Sequence, residues 1–168
     1  VHERASKFKI GYIPQNESIF SGLSCEQNLN AIAEILIKNR EERQNITENL
    51  LTEFSLNDVR KVLAKNLSGG QKKKLVIARA LINKPKILLM DEVFSAIDPI
   101  TIEVIKEIII NLQKRGISIL ITDHAFDNVL QISDKVYILA DGEIISSGKP
   151  QEIVKDQQAR KIYFGDTY

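Results

Sequence analysis

The sequence predicts an α/β fold in which helices flank a partly parallel sheet, with an inserted α-helical subdomain. Two short apolar runs, 86–90 and 117–122, are typical of parallel strands that are buried on both faces. A stretch with apolar residues three and four positions apart separates them, so strand, helix and strand follow in the order of a right-handed crossover unit. A second region of helical periodicity, 25–66, precedes both strands and predicts the inserted subdomain.

Length and composition are those of one globular domain. The 168 residues are enough to bury a core, and 43% of them are hydrophobic. The 23 basic and 22 acidic residues leave a net charge of +1, which gives no reason to expect a nucleic-acid partner. Cys25 is the only cysteine, which excludes an internal disulfide and suits a reducing cytosol. The apolar runs are far shorter than the ~20 residues that a membrane-spanning helix needs.

The first predicted element is a short strand. Apolar residues from Phe8 to Ile13 indicate it, and Pro14 ends it. Gln15 follows directly. A glutamine in this place is ordinarily a loop residue, so its function depends on what it faces in the fold.

The helical region that follows contains two apolar stripes with helical spacing. The first stripe has Leu29, Ile32, Ala33 and Leu36, and the second has Ile46, Leu50, Leu51 and Phe54. The polar run NREERQN lies between them and predicts the join between two helices.

A glycine-rich turn, LSGGQ at 67–71, begins the next helix, with Ser68 as its N-cap. Glycines allow the backbone to approach a ligand closely, and a helix N-terminus presents unpaired N–H groups to an anion. The helix is predicted to continue to Leu81 and to end before Pro85. The three lysines at 72–74 are predicted to lie on one solvent-exposed helix face rather than to bind nucleic acid.

Two carboxylates follow the first of the two apolar strands. One of the pair Asp91 and Glu92 is suited to hold a magnesium ion through water, and the other to orient an attacking water. The second strand delivers Thr122, Asp123 and His124 to the same edge, because the carboxyl ends of parallel strands meet there. We therefore expect His124 to lie beside the two carboxylates.

The remaining elements follow from cap and turn residues. Asp98 followed by Pro99 predicts the start of a helix, which runs to about Lys114. The Asp141-Gly142 pair between two apolar runs predicts a β-hairpin, and a further helix is predicted from residue 151.

A Ser-Gly-Gly turn is on its own most often a loop, and an Asp-Glu pair is usually a solvated strand end. Their combination with SAID directly after and a histidine 32 residues beyond Glu92 is far less common. On these motifs the chain resembles the nucleotide-binding subunit of ATP-binding cassette (ABC) transporters over nearly all of its length. The resemblance implies a P-loop NTPase-type sheet and one partial ABC ATPase domain over 1–168. Its parts would be an α-helical signature subdomain at 16–83, a catalytic core with Walker B, D-loop and H-loop at 84–150, and a C-terminal helical tail at 151–168.

The resemblance also implies roles for the residues that match its motifs, with ATP and Mg²⁺ as cofactors. Glu92 would polarise the attacking water, and His124 would contact the terminal phosphate. Gln15 would be the Q-loop glutamine, which reaches both the magnesium ion and the water. Asp91 would hold the magnesium ion together with Gln15.

Partners are implied in the same way. ABC cassettes form head-to-tail homodimers that hold two ATP molecules between them, and they bind transmembrane permease subunits at the cytoplasmic face of the inner membrane. The signature residues Ser68, Gly69, Gly70 and Gln71 would bind the nucleotide of the second copy. Asp98 would lie at the dimer seam. No nucleic-acid partner is expected.

The chain departs from the family pattern in two places. Val93 stands where most cassettes have a proline after the catalytic glutamate, which changes backbone stiffness more than chemistry. No G-x-x-x-x-G-K-[ST] loop occurs in the sequence, although in the family this loop grips the β- and γ-phosphates and lies upstream of the Q-loop. Because the sequence also begins at Val1, we expect that roughly the first third of a cassette is missing. The 168-residue chain alone is then expected to bind ATP weakly and to be inactive.

Several stretches favour one branch of the family. HERA, IGYIPQ, SIF, DPI, ITDH and IYFGD resemble the ATPases of bacterial lipopolysaccharide export. In those proteins an apolar pair, here Ile19 and Phe20, helps to form the groove for the membrane subunit, although Ser21 stands where an arginine commonly follows. Cassettes of branched-chain amino-acid importers are the nearest alternative. A soluble ABC protein acting on ribosomes or DNA, and a non-hydrolysing remnant, also remain open.

Overall fold

The computed structural model describes residues 8–16 and 18–159, which belong to two compact units divided after His124. The first unit contains β1 (Ile10–Ile13), α1 (Cys25–Leu36), α2 (Arg40–Glu53), α3 (Gly69–Leu81), β2 (Ile87–Asp91), α4 (Pro99–Lys114) and β3 (Ser118–Thr122). It also has two short 3₁₀ helices, Asn57–Val59 and Ala64–Asn66. The second unit contains α5 (Phe126–Ile132), β4 (Val136–Ala140), β5 (Glu143–Gly148), α6 (Pro150–Ile153) and α7 (Gln157–Ala159). The predicted HERA and IYFGD stretches and the end of the C-terminal tail lie outside the described residues.

The sheet of the first unit is parallel with strand order β1-β2-β3, as predicted. Its inner face is fully apolar, with Ile13 and Leu88 completely buried and Met90 1% exposed. The opposite face is different, because Tyr12 is 59% and Leu120 57% exposed. The prediction that β3 is buried on both faces is therefore wrong. The pleat places alternate residues on opposite faces, and the described elements cover one of these faces much more completely than the other.

The helical subdomain has the predicted apolar stripes except at Leu36, which is 46% exposed, and its second helix ends earlier than expected. Leu29 and Ala33 of α1 are completely buried. At the end of α2, Leu51 is also completely buried and Phe54 is 2% exposed. Region 54–66, predicted to be helical, contains turns, the two 3₁₀ helices and an isolated β-bridge from Leu63 to Ser24.

The α2 helix ends at a left-handed residue. Ser55 has φ 53°, and the N–H of Leu56 donates to the carbonyl of Leu51 at 2.8 Å. This is the hydrogen bond of a Schellman cap, which satisfies a carbonyl at the helix end and turns the chain away from the helix axis. Glycine usually occupies such a position, so the serine gave no signal of a stop in the sequence.

A charged cluster holds the 3₁₀ segment to the two helices. The guanidinium of Arg60 donates to Glu26 of α1 at 2.7 Å and to Glu48 of α2 at 2.6 Å, and Lys61 contacts Glu26 at 2.6 Å. The hydrogen bonds from Arg60 first, and then from Lys61, hold the pKa of Glu26 below its ordinary value of 4.5. We call these four residues the Arg60 cluster.

The α4 helix begins as predicted. The Asp98 carboxylate accepts from the backbone N–H of Thr101 at 3.0 Å, and Pro99 occupies the first turn. Ile105, Ile109 and Leu112 form its buried face.

The second unit is built on the predicted β4–β5 hairpin. Asp141 has φ 50° and Gly142 has φ 84°, so both central residues are left-handed, as a type I′ turn requires. Val136, Ile138 and Ile153 form its apolar cluster. Across the described ranges 8–16 and 18–159, no helix has the length and apolar character needed to cross a membrane.

Candidate functional site

The carboxyl ends of β2 and β3 meet at one edge of the parallel sheet. Asp91 pairs with Thr122 in the strand register, and the Thr122 hydroxyl donates to Asp91 Oδ1 at 2.5 Å. One residue further, the N–H of Glu92 donates to the carbonyl of Thr122 at 2.7 Å. These two bonds fix the orientation of one carboxylate and the backbone position of the next.

Glu92 is the residue on which the predicted site residues converge. Its Oε2 accepts a hydrogen bond from the Gln15 side-chain amide, and its Oε1 lies 3.7 Å from His124 Nδ1. The latter distance is beyond hydrogen-bond range, but it places the ring beside the carboxylate. The fold thus brings Gln15 of the loop after β1, Glu92 after β2 and His124 after β3 to the same place.

The three side chains differ in their exposure. Glu92 is half-buried, with 24% of its side chain exposed, whereas the His124 side chain is 70% exposed and Gln15 is exposed. A ligand that approaches this edge of the sheet therefore meets the amide and the imidazole before the carboxylate.

The backbone at Glu92 is strained. Its φ of 47° lies in the left-handed region, which costs a non-glycine residue roughly 1–2 kcal/mol. Ala96, four residues further along the same loop, has φ 57°. Between them Val93 is completely buried and Phe94 is 4% exposed, so apolar packing anchors the loop that turns Glu92 towards its partners.

Asp123 contacts this loop and has no role assigned from the sequence. Its Oδ2 accepts a hydrogen bond from the backbone N–H of Phe94 at 2.8 Å. Its position between Thr122 and His124 placed it at the right edge of the sheet, but nothing in the sequence pattern indicated which group it would bind.

Lys73 is a second residue whose role the sequence analysis missed. The prediction that the lysines at 72–74 form a solvent-exposed face is wrong for Lys73, which is 5% exposed. Its ammonium group lies 3.5 Å from the carbonyl oxygen of Glu92. The available signal was helical spacing, because Lys73 precedes the buried Ile77 by one turn and Leu81 by two.

The LSGGQ turn begins α3 in the predicted way. The Ser68 hydroxyl accepts from the N–H of Gln71 at 3.2 Å, and the Gln71 side chain accepts from the N–H of Ser68 at 3.0 Å. This capping box satisfies two of the backbone donors of the first turn. Ser68 and Gly69 are exposed, so the beginning of the helix faces solvent.

The second glycine of this turn packs against the α4 helix. A Cβ atom on Gly70 would lie 2.8 Å from both Thr101 Cγ2 and Thr101 Oγ1, which no side chain tolerates without movement. The Thr101 hydroxyl in turn donates to Asp98 at 2.5 Å, and this bond, followed by the backbone bond from Thr101, holds the pKa of Asp98 below its ordinary value. The turn and the Asp98 cap are therefore neighbours in the same chain.

The contacts thus arrange the predicted residues in two groups. The first contains Gln15, Glu92 and His124, together with Asp91 at the strand end. The second contains the LSGGQ turn and Asp98, joined through Thr101. Lys73 of the α3 helix reaches the backbone of the first group.

The donor set suits a magnesium ion that keeps several waters. Among the described residues no group of three or more His, Cys, Asp or Glu side chains is arranged to hold a metal. Magnesium is usually bound by one or two carboxylates together with substrate phosphates and water. Asp91, oriented by Thr122, and the amide oxygen of Gln15 provide oxygen ligands of the required kind.

Comparison with known proteins gives matches along the whole chain. Residues 2–95 match the family described as ABC transporter. The lipopolysaccharide export system ATP-binding protein LptB of Acidithiobacillus ferridurans is 42% identical over 168 residues, which are 100% of this chain and 69% of the relative. The protein of the same name from Haemophilus influenzae is 38% identical and is covered to 70% of its length.

A solved structure shares the fold. The crystal structure of the ADP conformation of MJ1267, an ATP-binding cassette of an ABC transporter, aligns with a TM-score of 0.81 at 26% identity. The alignment covers 97% of this chain and 71% of that chain. The chain therefore spans about 70% of the length of these relatives.

Proposed function

The chain belongs to the ABC transporter family of ATP-binding subunits, and from this premise we propose that the complete protein hydrolyses ATP to drive a transporter. The observation that carries the proposal is the convergence of Gln15 and His124 on the Glu92 carboxylate. Phosphoryl transfer to water depends on positioning and on stabilisation of charge, which these three side chains are able to provide.

Glu92 acts on the attacking water. Its carboxylate accepts the amide hydrogen bond of Gln15, which fixes the rotamer of the carboxylate at an edge that a ligand can reach. An oriented carboxylate accepts a proton from water as the water attacks, and such general-base assistance contributes about 10²–10⁴-fold to a rate. His124, beside the other carboxylate oxygen, donates a hydrogen bond to the terminal phosphate.

Asp91 and Gln15 would hold Mg²⁺, which supplies positive charge to the phosphate oxygens when it is bound with ATP. The Thr122 hydroxyl orients the Asp91 carboxylate for this purpose. Because Asp91 and Glu92 are consecutive residues at the end of one strand, binding of the ion and orientation of the water are set by the same backbone.

The signature turn binds the nucleotide of a second copy in a head-to-tail dimer. The support for this part of the proposal is the exposed start of α3, where Ser68 and Gly69 face solvent at the positive end of a 13-residue helix. Asp98 lies next to this turn, at the seam between the two copies.

We propose that the substrate of this transporter is lipopolysaccharide, which it exports. The curated relatives that carry this name are 38–42% identical over the whole chain. The protein would then bind permease subunits at the cytoplasmic face of the inner membrane.

The test of the hydrolytic role is Glu92→Gln in the complete protein with its permease partners. Glutamine keeps the shape of the side chain but accepts a proton poorly, so ATP turnover is expected to fall about 10³-fold. In the complete protein purified without the permeases, an ATP-bound dimer of this variant should accumulate and be visible by size-exclusion chromatography. Glu107→Gln is the matched control, because Glu107 is exposed on α4. Turnover by Glu92→Gln equal to that of Glu107→Gln would contradict the role.

The test of the cargo is purification of the complex from its native membrane. Identification of its permease subunits, followed by reconstitution into vesicles, should give ATP-dependent release of lipopolysaccharide. Copurification with a permease that moves amino acids, and no lipopolysaccharide release, would overturn this part while leaving the ATPase role intact.

A further inference from the structure

We propose that Asp123 is a positioning residue for Glu92. It orients the Glu92 side chain by holding the loop that follows Glu92 in the chain. The proposal rests on the catalytic role proposed for Glu92. Asp123 itself does not touch the substrate; its carboxylate is hydrogen-bonded to the backbone N–H of Phe94, two residues after Glu92.

The loop needs such a contact because its backbone is not relaxed. Glu92 and Ala96 both have positive φ values, 47° and 57°. Left-handed non-glycine residues persist where the surrounding structure enforces them. Val93 is held by its packing but does not fix its own φ, since valine lacks the ring by which proline does so.

Two consecutive residues at the end of β3 supply the constraint. The Thr122 carbonyl accepts from the N–H of Glu92 at 2.7 Å, and the Asp123 carboxylate accepts from the N–H of Phe94 at 2.8 Å. The next residue is His124, which lies beside the Glu92 carboxylate. The segment that delivers the histidine therefore also fixes the backbone on both sides of the glutamate.

The hydrogen bond from the Phe94 N–H to the Asp123 carboxylate is expected to be stronger than a bond between neutral groups. A hydrogen bond to an ionised carboxylate is shorter and stronger than one between neutral groups. Phe94 is 4% exposed and Val93 is completely buried, so water replaces a lost acceptor poorly. Removal of the acceptor is expected to let residues 92–94 relax, which moves the Glu92 carboxylate away from Gln15 and His124.

The experiment compares Asp123→Ala with Asp123→Asn in the complete transporter. Alanine removes the acceptor, and a displacement of about 1 Å at the reacting groups lowers a rate by about 10²-fold. We expect kcat to fall by that order while KM for ATP changes less than about twofold, because Asp123 is not among the residues proposed to bind the nucleotide. Asparagine offers its side-chain oxygen to the same N–H and should recover most of the turnover.

Two further variants make the test specific. Asp123→Glu keeps the charge but moves the acceptor by one methylene group, so it should lose turnover as alanine does; it carries the test if Asp123→Ala fails to fold. Asp127→Ala is the control, because Asp127 is an exposed acidic residue three positions after His124 and should keep normal turnover.

Several results would overturn the inference. They are normal turnover in Asp123→Ala or Asp123→Glu, a loss in Asp123→Asn as large as in Asp123→Ala, or a change in KM without a change in kcat. Failure of this inference is distinguishable from failure of the proposed function. If Glu92→Gln is inactive while the Asp123 variants are active, only the positioning role fails. If Glu92→Gln is active, the proposed function itself fails.

Discussion

The Glu92 edge of the sheet and the Arg60 cluster of the helical subdomain differ in what surrounds their charged groups. In the Arg60 cluster, one guanidinium contacts two carboxylates at 2.7 and 2.6 Å, and opposite charges neutralise one another. At the sheet edge, the Glu92 carboxylate faces an amide and an imidazole, and its backbone is left-handed. The charged groups of the Arg60 cluster bind one another, whereas the Glu92 edge has exposed polar groups that a ligand is able to bind.

This difference separates stability from activity. Interactions within the helical subdomain hold helices together, so substitutions there should change the free energy of unfolding. Groups at the sheet edge are exposed or strained, so substitutions there should change turnover and leave the free energy of unfolding nearly constant. Each turnover measurement that tests this separation uses the complete protein.

The largest effect is expected in the core of the helical subdomain. Phe54 is 2% exposed at the end of α2, and Phe54→Ala should lower the free energy of unfolding by about 3–5 kcal/mol. Urea unfolding measures this change. Phe8→Ala is the control, because Phe8 is 58% exposed, and its effect should stay within about 0.5 kcal/mol. A loss of turnover in folded Phe54→Ala without a loss of stability would break the separation.

His124→Ala is expected to have the opposite effect. Its side chain is 70% exposed, so the free energy of unfolding should change by less than about 0.5 kcal/mol. ATP turnover should fall about 10²-fold, because the hydrogen bond that we propose between His124 and the terminal phosphate is lost. ATPase assays and urea unfolding on the same preparation provide both values. A destabilised protein with normal turnover would show that His124 is structural.

Gly70→Ala tests the contact between the LSGGQ turn and the α4 helix. Its new Cβ would lie 2.8 Å from Thr101, a β-branched residue that cannot easily move aside, so overpacking should cost about 1–3 kcal/mol of stability. Gly22→Ala is the matched control, because a Cβ there would meet nothing within 4 Å. The double variant Gly70→Ala/Thr101→Ala should regain stability. If it does not, a cause other than the Thr101 contact destabilises Gly70→Ala.

The smallest effect concerns pH and the Arg60 cluster. The pKa of Glu26 is held below 4.5 in the folded protein, so its contribution to stability is present above that pH and is lost as the pH falls through the folded-state pKa. Glu26→Gln should lower the free energy of unfolding by about 1 kcal/mol at pH 7, since the cluster is partly exposed. The difference from the unsubstituted protein should shrink below pH 4.5. A difference that grows on acidification would contradict the sign of the shift.

Local chemistry predicted the parts of the fold that depend on neighbouring residues. Ser68 and Asp98 begin their helices, and Asp141-Gly142 forms its turn, because cap and turn preferences act over three or four residues. The meeting of Glu92 and His124 followed from parallel strands, which place consecutive carboxyl ends at one edge.

The features that were missed depend on tertiary contacts. Lys73 belongs to a run of three lysines. Helical spacing puts it on the same side as the buried Ile77, but only the fold brings the Glu92 carbonyl within 3.5 Å of its ammonium group. The left-handed Ser55 ends α2 without the glycine that normally marks such a stop. The apolar run of β3 predicts burial on both faces. The exposure of one face depends on which elements pack against it, and the residues of the strand do not specify that.

The pairing of Asp91 with Thr122 sets the spacing between the chemical groups at the sheet edge. Successive residues of a strand point to opposite sides, so a shift of β3 by one residue along β2 would reverse the facing of every group that follows it. Asp123 would then stand where His124 now meets Glu92. The register of β3 against β2 is consequently as important to the chemistry as any side chain, since it decides which groups meet without altering the groups themselves.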